Sequence, residues 1–262
     1  MPTIPRIENA TSPEPSTLPI RKHKFETPKL RLQLHDLGHE GSSIFLSNVK
    51  ASEDFETQVQ NVLNLLYDHP SESRRPATRS VTLILREMDG VAYTTGIDLD
   101  NDHKEIHFSL NYIARSRADQ RYELLGVLCH ELVHCFQWNA EGTCNGGLIE
   151  GIADWVRLRA GLAAQHWRRE AEGDWDGGYQ HTGYFLEWLE QKFGPGTVRK
   201  LNGCLRKGKY SDDLFKECCD GQSVEDLWQQ YGEYLNKDKK AGKEDSSNDP
   251  EAEAEAKPEI KS

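Results

Sequence analysis

The sequence predicts an α+β fold, because its residue pattern changes once along the chain. Up to about residue 113, short runs rich in β-branched residues alternate apolar and polar positions, which is typical of strands. From Ala118 onward, apolar residues recur every three or four positions, which is typical of helices with one buried face. Strands first and helices afterwards characterise the α+β class.

The first half is predicted to hold four strands and one helix. Apolar residues at helical spacing indicate a helix over 53–67, which His69-Pro70 ends. Asp89-Gly90 is a turn pair, so the strands on either side of it are expected to form a hairpin. The predicted strands are 29–37, 79–88, 91–97 and 105–113.

The second half is predicted to be helical throughout. The helix from Ala118 is expected to continue through Phe136 and to end at the loop 139–147, which contains Gly and Asn. The helices predicted after this loop are 148–161, 179–193, 196–207 and 223–236.

Both ends of the chain are predicted to be disordered tails. Residues 1–24 are rich in Pro, Ser and Thr, and residues 237–262 contain no aromatic residue and a single Ile. Neither segment can bury enough apolar surface to offset the entropy of ordering it. We therefore expect one folded domain over 25–236.

The composition argues against two classes of partner. The 262 residues include 32 Lys and Arg against 43 Asp and Glu, a formal net charge of -11. Binding to nucleic-acid phosphates needs clustered basic residues, so no nucleic-acid partner is expected. No apolar stretch approaches about 18 residues, so we expect no membrane span. The chain is expected to act as a monomer.

The N-terminal residues and the cysteines bear on localisation. Residues 1–22 contain no apolar core of the kind that a signal peptide requires. Without such a signal, the six cysteines are expected to be reduced thiols, and the protein is expected to be cytoplasmic.

A candidate metal site lies within the helix that begins near Ala118. Residues 130–134 read His-Glu-Leu-Val-His, and residues four apart share one helix face, so His130 and His134 can reach the same metal ion. Glu131 projects beside them, where it can take a proton from a water molecule at the metal. The alternatives are a chance match of a short motif and a pair of buried histidines satisfied by other partners, which would be costly to bury.

A catalytic zinc ion needs a third protein ligand and one open position. Glu150 follows His134 by sixteen residues and shares a face of the next helix with Asp154. Two antiparallel helices would bring Glu150 to the metal, and Asp154 could then accept a hydrogen bond from the free ring N–H of His130. The alternative for Glu150 is an acid placed at a helix start by the macrodipole.

Three other residues near the motif have weaker claims to a role. Tyr179 follows two glycines and could donate a hydrogen bond to a developing oxyanion, or could simply pack. Cys129 and Cys135 flank the motif but point away from the histidine face, which predicts small core thiols.

The run from Gly126 to Ala163 resembles the plant basic secretory protein family, whose members are described as zinc peptidases of plants, bacteria and fungi. The similarity covers the helix with His130 and His134, the Gln137-Trp138-Asn139 that follows, and residues 146–154. It implies a zincin-type domain, in which a small N-terminal sheet lies over an active-site helix and a mainly helical half follows. It also supports Glu150 as the third ligand, as in thermolysin-like glutamate zincins.

The chain departs from the family in two respects. Plant members are basic and secreted, whereas this chain is acidic and shows no signal peptide, so secretion is the alternative to a cytoplasmic location. Cys144-Asn145 also stand where the family tends to have Ala-Pro.

The sequence therefore predicts a zinc-dependent hydrolase that cleaves peptides or proteins, with Glu131 as general base. The alternatives are zinc-dependent hydrolysis of another amide or ester, and a non-catalytic binding or defence-type protein with structural zinc. Strand 105–113 is predicted to be an edge strand that pairs with an extended substrate, and strand 91–97 is the alternative edge.

Overall fold

A computed structural model describes residues 23–70, 75–116 and 120–246 of the protein. The tails expected over 1–24 and 237–262 fall largely outside these residues. Of the expected N-terminal tail, His23 is described, and its backbone N–H donates to the Asn64 side chain at 2.7 Å.

Four strands and nine helices follow one another along the described residues. In chain order they are β1 (Lys29–Leu34), α1 (Glu40–Asn48), α2 (Ala51–Leu66), β2 (Ser80–Arg86), β3 (Ala92–Ile97), β4 (Asp100–Ser109), α3 (Leu110–Arg115), α4 (Gln120–Phe136), α5 (Gly146–Arg159), α6 (Tyr179–Phe193), α7 (Thr197–Cys204), α8 (Asp213–Cys218) and α9 (Val224–Ser246). This order matches the predicted α+β class.

The four strands form one mixed sheet in the order β1-β2-β4-β3. β2 is parallel to both β1 and β4, and β3 is antiparallel to β4. Strand β2 is central, and its Val81, Leu83 and Leu85 are fully buried because alternate residues of a strand point to the same face. The edges of the sheet are β1 and β3.

The predicted hairpin between 79–88 and 91–97 is wrong. β3 pairs with β4, through a two-residue turn at Asp98-Leu99, and β4 lies between β2 and β3. A two-residue turn keeps the strands that it joins side by side, so β3 and β4 pair. The longer link 87–91 allows β3 to lie two positions away from β2, with β4 between them.

The prediction that 105–113 is an edge strand is also wrong. β2 and β3 pair with β4 on its two sides, so no side is open to a substrate. The strand also ends at Ser109, whose side-chain oxygen accepts from Tyr112 N and so caps α3. The edge beside the helices is instead β3, the alternative weighed above.

Helix α4 is the centre of the fold. It packs against α2, β3 and α5, and nearly all of its residues from Glu123 to Phe136 are buried. The tyrosine hydroxyl of Tyr67 at the end of α2 donates to the last carbonyl of the helix, Phe136 O, at 2.5 Å. The metal motif is therefore carried on a helix that is held from three sides.

Helix α5 runs antiparallel to α4 and in the same direction as α6. Gly151 faces Thr182, and Gly183 faces Trp155, so α5 and α6 approach closely where side chains are smallest. A Cβ atom on Gly151 would lie 2.3 Å from Thr182 Cγ2. These glycines set the distance between the two helices.

Helix α9 continues ten residues beyond the predicted 223–236, into the segment expected to be the C-terminal tail. Lys, Glu and Ala in this stretch are strong helix formers, but composition alone did not distinguish a helix from a disordered segment. No helix in the described part of the chain has the length and apolar character needed to cross a membrane.

Candidate metal centre

Three ligand-type side chains converge at the junction of α4 and α5. His130 Nε2 lies 3.0 Å from Glu150 Oε2 and 3.2 Å from His134 Nε2, and His134 Nε2 lies 3.7 Å from the same carboxylate oxygen. Among the described residues, this is a group of three donors that could hold one metal ion.

The separations fit a tetrahedral metal ion. Ligand atoms about 2.1 Å from zinc at tetrahedral angles lie roughly 3.4 Å from one another. The three observed distances bracket this value. Two imidazole nitrogens and one carboxylate oxygen, with a fourth side that faces a cleft, are also the donor set of a catalytic zinc site.

The loop between α4 and α5 places Glu150 in the right turn of its helix. Asn145 caps α5, and its side-chain oxygen accepts from Gly147 N at 2.8 Å and from Leu148 N at 3.3 Å. The helix therefore starts at Gly146, and Glu150 lies beyond its first turn. The macrodipole falls off within the first turn, so it does not account for this carboxylate.

Asp154 holds His130 from the side opposite the convergence point. His130 Nδ1 donates to Asp154 Oδ1 at 2.6 Å, and the Asp154 side chain is buried. Burial alone would lower the pKa of His130, but hydrogen bonds to Asp154 and Glu150 raise it to about 9. Conversely, hydrogen bonds from the two histidines outweigh burial and lower the pKa of Glu150.

Gln137 occupies the equivalent position behind His134. The amide nitrogen Gln137 Nε2 lies 2.7 Å from His134 Nδ1, and the buried Gln137 Oε1 has no partner among the described residues. When His134 Nε2 binds a metal, Nδ1 carries the ring proton and needs an acceptor. Rotating the Gln137 amide by 180° exchanges its nitrogen and oxygen without changing its shape. Oε1 then lies where it can accept a hydrogen bond from His134 Nδ1–H.

Glu131 lies on the sheet side of the two histidines. The Thr94 hydroxyl of β3 donates to Glu131 Oε2 at 2.7 Å, so the edge strand fixes the orientation of the carboxylate. Glu131 and Thr94 both line a cleft of about 920 Å³ that contains the three convergent side chains.

Tyr179 lies at the opposite wall of this cleft. Its ring stacks on His130 with the ring centroids 6.0 Å apart, and its side chain is 59% exposed. The Glu150 carboxylate is the main cause that raises the pKa of the Tyr179 phenol, so the hydroxyl keeps its proton. Its φ of 46° is unusual for a residue with a side chain, and such strained conformations are often found at functional sites.

The remaining candidates near the motif lie in the core. Cys129 and Cys135 are buried free thiols, and burial raises their pKa values. They are not part of the convergent group, as their positions on the helix predicted.

The model of the BSP family, described as "Peptidase of plants and bacteria", matches residues 27–231. This range contains the sheet, the convergent side chains and the beginning of α9. The chain belongs to the BSP family. Searches of curated proteins and of solved structures found no match. The match includes residues 126–163, which carry the resemblance seen in the sequence.

Two side chains of this BSP site were not predicted as site residues from the sequence. Gln137 follows His134 by three residues, directly after the last residue of α4, and this i, i+3 spacing is the signal that could have indicated it. Thr94 has no such signal, because its place beside Glu131 depends on how β3 pairs with β4.

Proposed function

We propose that this BSP-family protein is a zinc-dependent peptidase with a zincin-type active site. The observation that carries the proposal is the convergence of ligand atoms of His130, His134 and Glu150 within 4.8 Å of one another, with the Glu131 carboxylate beside them in an open cleft. A purely structural zinc site has four protein ligands and no need of such a base.

The three convergent side chains would hold the zinc ion, and Asp154 and Gln137 would keep both rings in the tautomer that binds metal. Imidazole and carboxylate donors in this number suit zinc among the common divalent metals. A bound zinc ion supplies a Lewis acid that acidifies water and polarises a carbonyl group.

Glu131 serves as the general base and acid of the reaction. Its carboxylate accepts a proton from the attacking water and later passes that proton to the amine that leaves. The Thr94 hydroxyl, bound to Oε2, leaves the other carboxylate oxygen to exchange the proton. Glu131 is buried except where it lines the cleft, so its carboxylate faces the space in which the substrate would lie.

Tyr179 is proposed as the group that stabilises the negative oxygen formed on the substrate carbonyl. Its hydroxyl keeps its proton, and its side chain lines the cleft with its ring stacked on that of His130. A donor at that oxygen is typically worth about 3–4 kcal/mol of transition-state stabilisation.

Strand β3 is proposed as the binding edge for an extended peptide. Among the described strands it pairs on one side only, with β4, and residues 91–94 line the cleft. Thr94 points toward α4 and Glu131, so a strand added at this edge would pass beside the base. Backbone pairing of this kind depends little on side-chain identity.

Cleavage of a mixed peptide library tests the proposal. The zinc-loaded protein should cleave peptides, lose the activity in chelator and regain it with zinc. Glu131→Gln should keep the metal and lose activity by at least about a hundredfold. Glu56→Gln, on the exposed face of α2, should behave as the unaltered protein. Full activity of Glu131→Gln, or no cleavage by metal-loaded protein, would exclude the proposed reaction.

A further inference from the structure

A pair of thiols lies apart from the metal centre, where two helices end. Cys204 is the last residue of α7, and Cys218 is the last residue of α8. Their Sγ atoms are 3.6 Å apart, so one thiol donates to the other. A disulfide requires about 2.05 Å between the sulfurs, so the two atoms would have to approach by about 1.5 Å to be joined.

The two thiols differ in access. Cys204 is half-exposed and lines an open cavity of about 750 Å³, whereas Cys218 is buried at 6% exposure. The hydrogen bond that the Cys218 thiol donates is the largest influence on Cys204 and lowers its pKa to about 7. The same hydrogen bond raises the pKa of Cys218. Cys204 is therefore the nucleophile that attacks first, and Cys218 is the thiol that would attack the resulting mixed disulfide.

The other four cysteines are poorer nucleophiles. Burial raises the pKa of each of them well above that of an ordinary thiol. These residues are Cys129, Cys135, Cys144 and Cys219.

The cavity beside Cys204 is basic. Four cationic side chains line it, against one carboxylate, Asp68, which is ion-paired with Arg199. The four are Arg199, Lys200, Arg206 and Lys207. The Glu217 carboxylate, 3.9 Å from the Cys204 sulfur, raises the pKa of Cys204, and the weaker effect of Lys200 lowers it. In a chain whose net charge is -11, this cavity is a local site for small anions.

We propose that Cys204 and Cys218 form a reactive dithiol site that is oxidised by anionic low-molecular-weight disulfides of the glutathione class. The basic cavity admits the disulfide to Cys204, and Cys218 completes the reaction from the buried side. The site is independent of the proposed peptidase centre.

The reaction consists of two thiol–disulfide exchanges. The Cys204 thiolate attacks one sulfur of glutathione disulfide, which forms a mixed disulfide and releases one glutathione thiolate. The Cys218 thiol loses its proton and attacks Cys204 Sγ, which releases the second glutathione. The protein dithiol is oxidised by two electrons, and the glutathione disulfide is reduced to two thiols.

The new bond would lie close to the loop that follows α4. Asn202 Oδ1 accepts from Trp138 N at 3.0 Å, and Leu205 O accepts from Ala140 N at 2.8 Å. Oxidation would therefore stabilise the end of α7 where it supports this loop.

Intact-mass analysis and peptide mapping test the pair. The reduced full-length protein, treated with glutathione disulfide, should lose roughly 2 Da and yield a linked Cys204–Cys218 peptide. Cys218→Ala should stop at a glutathione adduct on Cys204. Cys204→Ser should form neither product, and Cys144→Ser should react as the unaltered protein. A link between Cys218 and Cys219, or equal labelling of the other cysteines, would overturn the assignment.

The role of the cavity is tested by comparing two oxidants. Lys200→Gln should slow the reaction with glutathione disulfide by roughly threefold or more at low salt, relative to the neutral 2-hydroxyethyl disulfide. The ratio of the two rates removes any effect of the substitution on the thiol itself. An unchanged ratio would overturn the proposed preference for anionic disulfides.

Discussion

At the scale of single residues, the metal centre depends on what lies behind each histidine. His130 and His134 can direct their Nε2 atoms to one point because Asp154 and Gln137 hold the two Nδ1 atoms from behind. Each ring is thereby fixed in orientation and in tautomer.

The first prediction concerns Gln137. Gln137→Leu should weaken zinc binding by about 10–100-fold, because His134 Nδ1–H then has no acceptor in a buried site. Gln137→Glu keeps an acceptor oxygen and should retain most of the affinity. Competition with a chelator of known affinity measures both. Equal affinities of Gln137→Leu and the unaltered protein would remove Gln137 from the site.

The second prediction concerns Asp154, the partner of His130. Asp154→Asn should reduce zinc affinity or turnover by about 10–100-fold, a milder loss than that of a direct ligand. The same chelator competition applies. A variant that binds no zinc at all would indicate that Asp154 acts as a ligand or is required for folding.

The third prediction separates Thr94 from its neighbour on β3. Thr94→Val removes the hydrogen bond to Glu131 and should lower kcat/KM roughly tenfold, with zinc content unchanged. Thr95→Val, on the exposed face of the same strand, should have little effect. Steady-state kinetics on any peptide that the protein cleaves checks this pair, and equal losses in both variants would contradict it.

The site residues differ in how far the sequence reveals them. His130, Glu131 and His134 follow from helical spacing, which is local. Glu150 was predictable because it and Asp154 share a helix face and the family resemblance supports them. The role of Thr94 was not predictable, because its position depends on the order of the strands. Short alternating patterns do not specify that order.

At the scale of elements, the helices were predicted better than the sheet. The predicted helix 179–193 matches α6, because its apolar residues repeat over four turns and Gly194 ends it. Short helices such as α3 and α8 offer too few turns for a period to be recognised. The order of the strands depends on pairing across the chain, so the hairpin prediction failed.

The close approach of α5 and α6 leads to the fourth prediction. Gly151→Ala should lower the free energy of unfolding by about 1–3 kcal/mol, because the new Cβ collides with Thr182. Gly203→Ala in α7, where a Cβ meets nothing within 4 Å, should raise it by about 0.5–1 kcal/mol. Denaturant unfolding at a fixed zinc concentration compares the two. The opposite order would contradict this packing.

At the scale of the whole molecule, the sheet and the helical half share one core. Buried residues run without a break from Phe25 through α4 to Leu235 in α9. An aromatic group joins α6 to α9, where the ring centroid of Phe185 lies 5.3 Å from that of Trp228 and 5.8 Å from that of Tyr231. The metal centre therefore lies inside one cooperative unit.

The fifth prediction follows from this shared core. Phe185→Ala should lower the free energy of unfolding by about 3–5 kcal/mol, because the ring is fully buried among other rings. Phe193→Ala, in the same helix but half-buried, should cost clearly less. Tryptophan fluorescence and circular dichroism should report one transition in each variant, and two separate transitions would contradict a single core.

The central claim is that one zinc ion binds where α4 meets α5, and the metal content of the purified protein tests it most directly. Native mass spectrometry or elemental analysis should find one equivalent of zinc per chain, lost in Glu150→Ala and in His134→Ala but kept in Glu131→Gln. Less than about half an equivalent of zinc that reconstitution cannot restore, or full occupancy in Glu150→Ala, would contradict the claim.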